Sequence, residues 1–449
     1  MKRSPGELAL VLHTHMPYVL GHGTWPFGEE WLWEAMATCY LPLLDVLGEG
    51  APLTLSLTPV LCEQLADPAV PERFTAFLRD VRRETHAKDV AGCREAGKAA
   101  FAAELERAAE DYERALARFE ALGGDLLGAL APHASWTSAA THAVLPLLAT
   151  DAGVRLQLAG GIASHRERFG GWAGGFWLPE CAHAGWLDPL LEEAGVRATC
   201  IDLTDVHGHG AAAQLAPLAT EDGPLLVPID RATMELAWSE DGYPAHPAYR
   251  DYHAFTVHHH RVWRNDGATY DRAAALAQVR AHAADFVART IERIEAGAAA
   301  LGRPALVVCA LDTELLGHWW YEGLDWLAAV IEEAERRGLA LAPLDEALAR
   351  HEPAPAPPGG LPTTTWGTPR DLSTWEGPRV ADLAWRARAA ELRTLAAPNG
   401  HRPSPAALRE LQLLQSSDWA FQVTRELAGP YPRERFEGHL ARLQAALAA

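Results

Sequence analysis

Short apolar runs that stop at a polar or acidic residue, separated by long helical stretches, constrain this chain most. Leu8–Leu12 runs into His13, Leu53–Leu57 into Thr58, Gly175–Leu178 into Pro179 and Glu180, and Ala305–Leu311 into Asp312. Such runs suit strands buried on both faces. Ala99–Ala121 and Ala273–Ala298 carry Ala, Leu, Glu and Arg at helical spacing. Buried strands alternating with amphipathic helices predict a parallel α/β sheet or barrel. In such folds the reactive side chains emerge just past the carboxyl ends of strands, which is where His13, Glu180 and Asp312 fall.

At 449 residues the chain is too long for one minimal core and accommodates about two or three units. Residues ~85–130 read as an extra helical pair inserted in a first unit, 1–350. Residues ~204–270, rich in Gly, Pro, His and Tyr, read as a long active-site loop region. Pro353–Gly360 (PAPAPPGG) is an extended linker, and 351–370 joins the first unit to a helical unit at 371–449. In that last unit Val380–Leu395 and Pro405–Leu414 resume helical spacing.

The formal net charge of -20 disfavours nucleic acid and anionic membrane, which would repel the chain, but not a neutral polymer such as a polysaccharide. Six cysteines without a CxxC pair suggest reduced thiols rather than a disulfide framework or zinc ribbon. The apolar run at Leu8–Leu12 is too short for a signal peptide, and no stretch reaches the ~20 apolar residues of a membrane span. A cytoplasmic protein is expected. Sixteen tryptophans, many beside Gly and charged residues, suggest flat surfaces on which sugar rings can stack, with ordinary core packing as the other reading of each.

Three constellations carry chemistry. His13-Thr14-His15-Met16-Pro17 directly follows the first strand. It suits either a metal pair, as in metal-dependent deacetylases and amidohydrolases, or hydrogen-bond donors to a substrate. The metal reading needs further ligands, which Asp202, Asp205 and His258-His259-His260 could supply. Phe176–Ala182 (FWLPECA) and Ala310–Trp320 (ALDTELLGHWW) each place a carboxylate just past a buried strand. Two acids at one rim suit glycosidic chemistry, in which one attacks the anomeric carbon while the other protonates the leaving oxygen. A retaining pair would stand roughly 5–5.5 Å apart.

HTHMP, GFWLPECA and LDTELLGHWW together resemble the signatures of glycoside hydrolase family 57, nearest its 1,4-α-glucan branching enzymes. THAVLPLL, GYP, DLAWRARAAEL and LQSSDWAFQ extend the likeness over most of the chain. The resemblance implies an α/β fold built as an incomplete (β/α)7 barrel, with a helical insertion and a C-terminal helical domain. It implies anomeric retention, an α-1,4-glucan as partner and no cofactor or metal. By motif, Glu180 resembles the family nucleophile and Asp312 the general acid/base. His13, His15, His142 and Asp418 would line the donor pocket. Trp263, Trp366 and Trp375 would border the donor and acceptor glucan. Tyr243 resembles the tyrosine of a mobile loop that favours transfer over hydrolysis.

The chain is shorter than is usual in this subfamily, and the loss falls after the GYP segment, around Trp263. An α-amylase or 4-α-glucanotransferase with little branching activity is therefore the main alternative, ahead of the metal-dependent deacetylase or amidohydrolase. A monomer or small homo-oligomer is expected. Trp319, Trp320 and Trp326 read as packing, Cys181 as a small buried filler, and the 258–260 run as a solvated or loop feature.

Overall fold

The computed structural model describes residues 5–48, 50–357, 360–396 and 402–448. The first four residues of the opening segment and positions 358–359 of the expected linker lie outside the described residues. Seven parallel strands form the frame: β1 (Gly6–Thr14), β2 (Leu53–Leu57), β3 (Ala134–Ser138), β4 (Phe176–Trp177), β5 (Ala198–Ile201), β6 (Leu225–Pro228) and β7 (Ala305–Asp312). β1 is buried at every residue and β7 at all but Asp312, which is why both read as continuous apolar runs.

β4-β3-β2-β1-β7 are hydrogen-bonded neighbours. β5 pairs with β6, and a bridge between Gly175 and Ala198 joins β4 to β5. A Cβ at Gly175 would fall 2.1 Å from the Trp136 ring nitrogen, so only glycine lets the chain enter β4 there. Where β6 ends, the Asp230 N–H donates to the Val308 carbonyl at 2.8 Å, and this thin seam brings the ring round to β7. The result is the incomplete (β/α)7 barrel that the resemblance implies.

Register sets the site. His13 lies opposite Ser56 on β2 and opposite Asp312 on β7, so three strands end at one level. Helices Arg83–Glu95 and Ala99–Ala121 pack together between β2 and β3. At the other end, Ala381–Leu395, Pro405–Leu414, Ser417–Arg425 and Tyr431–Ala448 build their own apolar cluster around Leu411 and Trp419. Those helices are anchored to the barrel by buried Glu391, which accepts from the Ala149 N–H (3.0 Å) and the Thr150 hydroxyl (2.6 Å). No helix among the described residues is long and apolar enough to cross a membrane.

One reading changes. The 204–270 region is not a continuous loop, because it holds β6 and the helix Arg231–Ala237. β6 has only four residues and sits beside Gly223 and Pro224, so its apolar signal is swamped by turn formers. The 258–260 run is a loop, with His259 exposed and His260 buried. His258 and His260 both bond the Asp89 carboxylate, at 2.6 and 2.8 Å, and His260 stacks on His86 with centroids 3.6 Å apart. Within the expected linker, Ala354–Pro355 is a strand that pairs in parallel with Leu218–Ala219.

Candidate active site

Glu180 leaves the end of β4 in a left-handed conformation, φ 62° and ψ 22°, and Cys181 follows at φ 46°. His142, past β3, is also left-handed at φ 58°. Side chains with a Cβ adopt this region at a cost of order 1–3 kcal/mol each, so the fold holds these residues against local preference. The 364–366 segment provides the hold at Glu180. The Thr365 hydroxyl and the Trp366 N–H both donate to the Glu180 carbonyl, at 2.7 and 3.1 Å. The Trp366 indole N–H donates to carboxylate Oε2 at 3.2 Å.

Three histidines link the strand ends. His13 Nε2 and His142 Nε2 share a hydrogen bond of 3.0 Å. His142 Nδ1 contacts the Ser417 hydroxyl at 2.9 Å and stands 3.7 Å from Glu180 Oε1. His15 stacks on His142 with ring centroids 4.0 Å apart, and its Nε2 meets both Asp418 oxygens at 3.1 Å. Below them the Trp177 ring stacks on His13 at 4.6 Å. Ser417 and Asp418 come from the C-terminal helices, so the site is closed by two distant parts of the chain.

Charge is unevenly distributed here. Burial pushes Asp312 well above the ordinary aspartate range, and the facing Glu314, Glu180 and Asp418 carboxylates push it further. Burial also raises Glu180, but Ser417 and Trp366 donate hydrogen bonds that pull it back. For His15 burial acts downward, yet Asp418, Glu314 and Glu180 outweigh it and favour the imidazolium. His13 and His142 are driven well below the usual histidine range by burial and by the charge on His15, and stay neutral. Burial raises the Cys181 thiol well above its ordinary value, which suits an inert filler.

The structure thus gathers Glu180, Asp312, His13, His15, His142, Asp418 and Trp366. Three other expected residues lie elsewhere. Tyr243 is buried at 8% exposure, stacks on His282, and donates to Asp285 at 2.7 Å, so it is part of the packing against helix Arg272–Leu301 rather than of a free loop. Trp263 packs against Phe101 of the helical insertion. Trp375, 3% exposed, packs with Val144 and Ala182 beneath the segment that carries Trp366. The ligand set of the metal reading is dispersed, because Asp202 is paired with Arg231, Asp205 with Arg370, and His258 and His260 with Asp89. Trp320 and Trp326 are core, whereas Trp319 is 39% exposed.

Sequence reasoning missed Glu314, Ser417, Trp177 and Trp238. The Trp238 ring lies edge-on to Trp366 at 5.6 Å and is 36% exposed. Glu314 and Ser417 each stand within two residues of a chosen acid, which was the available signal. Trp177 reads as plain strand core until its partner His13 is known.

Residues 136–356 match glycosyl hydrolase family 57, and residues 387–449 match the C-terminal region of 1,4-alpha-glucan branching enzymes. A probable 1,4-alpha-glucan branching enzyme of Mycobacterium tuberculosis is 33% identical, with 97% of this chain aligned to 90% of that one. The crystal structure of the GH57-type branching enzyme from Pyrococcus horikoshii matches with a TM-score of 0.90 at 29% identity, over 97% of this chain and 88% of that chain. The alpha-amylase AmyC from Thermotoga maritima matches at 0.79 and 25% identity, over 99% and 93%. With this fold, these strand-end acids and relatives matched along nearly its whole length, the chain belongs to glycosyl hydrolase family 57 and, within it, to the branching enzymes.

Proposed function

We propose that the protein is a retaining 1,4-α-glucan branching enzyme in which Glu180 is the nucleophile and Asp312 the general acid/base. The asymmetry between the two acids carries the assignment. Glu180 receives hydrogen bonds that favour its ionised form, whereas Asp312 is desolvated among other carboxylates and keeps its proton. A donor α-1,4-glucan lies across the barrel mouth. Glu180 attacks the anomeric carbon as Asp312 gives its proton to the departing glycosidic oxygen. The 6-hydroxyl of an acceptor glucan then attacks the glycosyl–enzyme bond while Asp312 takes up that hydroxyl's proton, leaving an α-1,6 branch.

His13, His142 and the His15–Asp418 pair supply hydrogen-bonding groups for donor hydroxyls, and Trp366 holds Glu180 in place. Residues 1–350 form the catalytic unit and 371–449 a helical unit that contributes Asp418 to it. A glycogen-like polysaccharide in the cytoplasm is the physiological substrate on this reading. The test is incubation with amylose, following α-1,6 linkages by proton NMR beside reducing ends. Branches should rise well ahead of reducing ends. Reducing ends rising alone would make the protein a hydrolase of the same family.

A further inference from the structure

The turn after β7 buries a third acid that the proposed chemistry leaves unused. Glu314 is 4% exposed and accepts from two donors. The Tyr40 hydroxyl donates to its Oε1 at 2.5 Å and the His15 backbone N–H at 3.1 Å. The turn itself is fixed on three sides. Thr313 Oγ1 meets Thr14 Oγ1 at 2.7 Å, and the Cys39 thiol donates to the Thr313 carbonyl at 3.1 Å. Gly317, at φ 96°, lies so close to the helical segment Met36–Tyr40 that a Cβ there would fall 2.2 Å from the Thr38 carbonyl oxygen. Glu314 therefore has one available position, two residues from Asp312.

We propose that Glu314 is a positioning residue that keeps the reactive proton on Asp312. The inference rests on the reading of Asp312 as general acid. Two buried carboxyls this near each other do not both ionise readily, so the pair tends to hold one proton in common. Hydrogen bonding decides where it sits. Glu314 accepts from two donors, which stabilise its charge, while among the described residues Asp312 has no hydrogen-bond donor. The proton therefore rests on Asp312, the member that faces the site.

Besides Glu314, Asp312 faces Glu180 and Asp418, and around Glu314 stand Tyr40, Cys39 and His15. Above about pH 7, where Glu314 has given up its own proton, its charge stands as the anion behind Asp312. When Asp312 has given its proton to the leaving oxygen, the same anion makes its carboxylate a stronger base toward the acceptor hydroxyl. One proton leaves Asp312 and one returns, so the cycle closes.

The experiment measures kcat/KM on amylose against pH for the parent and for Glu314→Gln. Glutamine keeps an acceptor oxygen for Tyr40 and His15 but removes the charge. The alkaline limb, which reports loss of the Asp312 proton, should move to lower pH by about one unit, so that activity beyond it falls about tenfold with KM little changed. Tyr40→Phe should move it the same way by less, because Glu314 then competes for the proton. With a maltooligosyl fluoride, whose leaving group needs no protonation, the limb of Glu314→Gln should coincide with the parent's. An unmoved alkaline limb in Glu314→Gln overturns the inference. Should that variant not fold, an unmoved limb in Tyr40→Phe overturns it instead. Failure of the underlying reading looks different, as an Asp312→Asn variant that keeps full activity on amylose.

Discussion

Two of the buried clusters of charge are built on opposite plans. Where the helical insertion packs on the barrel, Glu34 of the helix Glu29–Ala35 bonds Arg82 and accepts from the insertion's Tyr112 hydroxyl at 2.7 Å, and Glu104 of the insertion bonds both Arg107 and Arg250. The Arg250 guanidinium lies over Tyr321, 3.8 Å from the ring centre. Burial alone would raise Glu34, but Arg82 and Tyr112 hold it below its ordinary range. At the barrel mouth, Glu180, Asp312, Glu314 and Asp418 share a space with imidazoles, and no Arg or Lys is paired with any of them among the described residues. There all three of Glu180, Asp312 and Glu314 are raised. Opposite charges in the insertion lock a helix to the barrel. Like charges at the mouth leave protons that can move.

Four substitutions can break or sharpen that contrast. The largest effect falls at the mouth, where Glu180→Gln should lower branching of amylose about a thousandfold or more, roughly 4 kcal/mol of transition-state stabilisation. Its thermal melting should stay near the parent's, and near-parent turnover would refute the nucleophile assignment. In the insertion the order reverses. Arg250→Met should cost about 3 kcal/mol of stability, because Glu104 is left with Arg107 alone and Glu322 loses the cation beside it. Denaturant unfolding reads the loss, and kcat below the melting range should be unchanged. A variant as stable as the parent would show that this cluster is not a lock.

The third prediction uses pH. Glu314 is raised from 4.5 to about 7 by burial, against the pull of Tyr40 and His15, so the folded state holds its proton more tightly than the unfolded chain does. Stability from this group is full below pH 4.5 and is lost as pH rises through about 7. Glu314→Gln should therefore melt higher than the parent at pH 8 by on the order of 3 kcal/mol, with the gap closing toward pH 4.5. A gap equal at pH 5 and pH 8 would rule this out. Glu34 has the opposite sign, because its stabilisation exists above the ordinary carboxylate range and fades as pH falls. The smallest effect is at the surface. Arg386→Ala, which removes the solvent-exposed partner of Glu437, should cost at most about 0.5–1 kcal/mol by calorimetry.

The parts legible in sequence were those set by neighbours along the chain. Leu53–Leu57 and Pro405–Leu414 form as read, because burial on both faces and helical period are written in consecutive residues. Glu180 and Asp312 were legible because strand ends are where a parallel barrel exposes side chains. β6 was hidden because four residues beside Gly and Pro leave no periodic signal. Tyr243, Trp263 and Trp375 were expected at the glucan, yet an aromatic ring packs equally well on His282, on Phe101 or on Val144 and Ala182, and only tertiary contacts choose.

By itself the sequence determined the α/β alternation, the helical C-terminal segment, the family and the identity of two strand-end acids. Tertiary structure alone decided which acid receives hydrogen bonds. Asp312 and Glu314 are both carboxyls within three residues of each other, and nothing local separates them. Tyr40 from the first helical segment and the His15 backbone from the end of β1 reach Glu314, and neither reaches Asp312. Hydrogen bonds from distant parts of the chain thus set a proton affinity that no local pattern encodes.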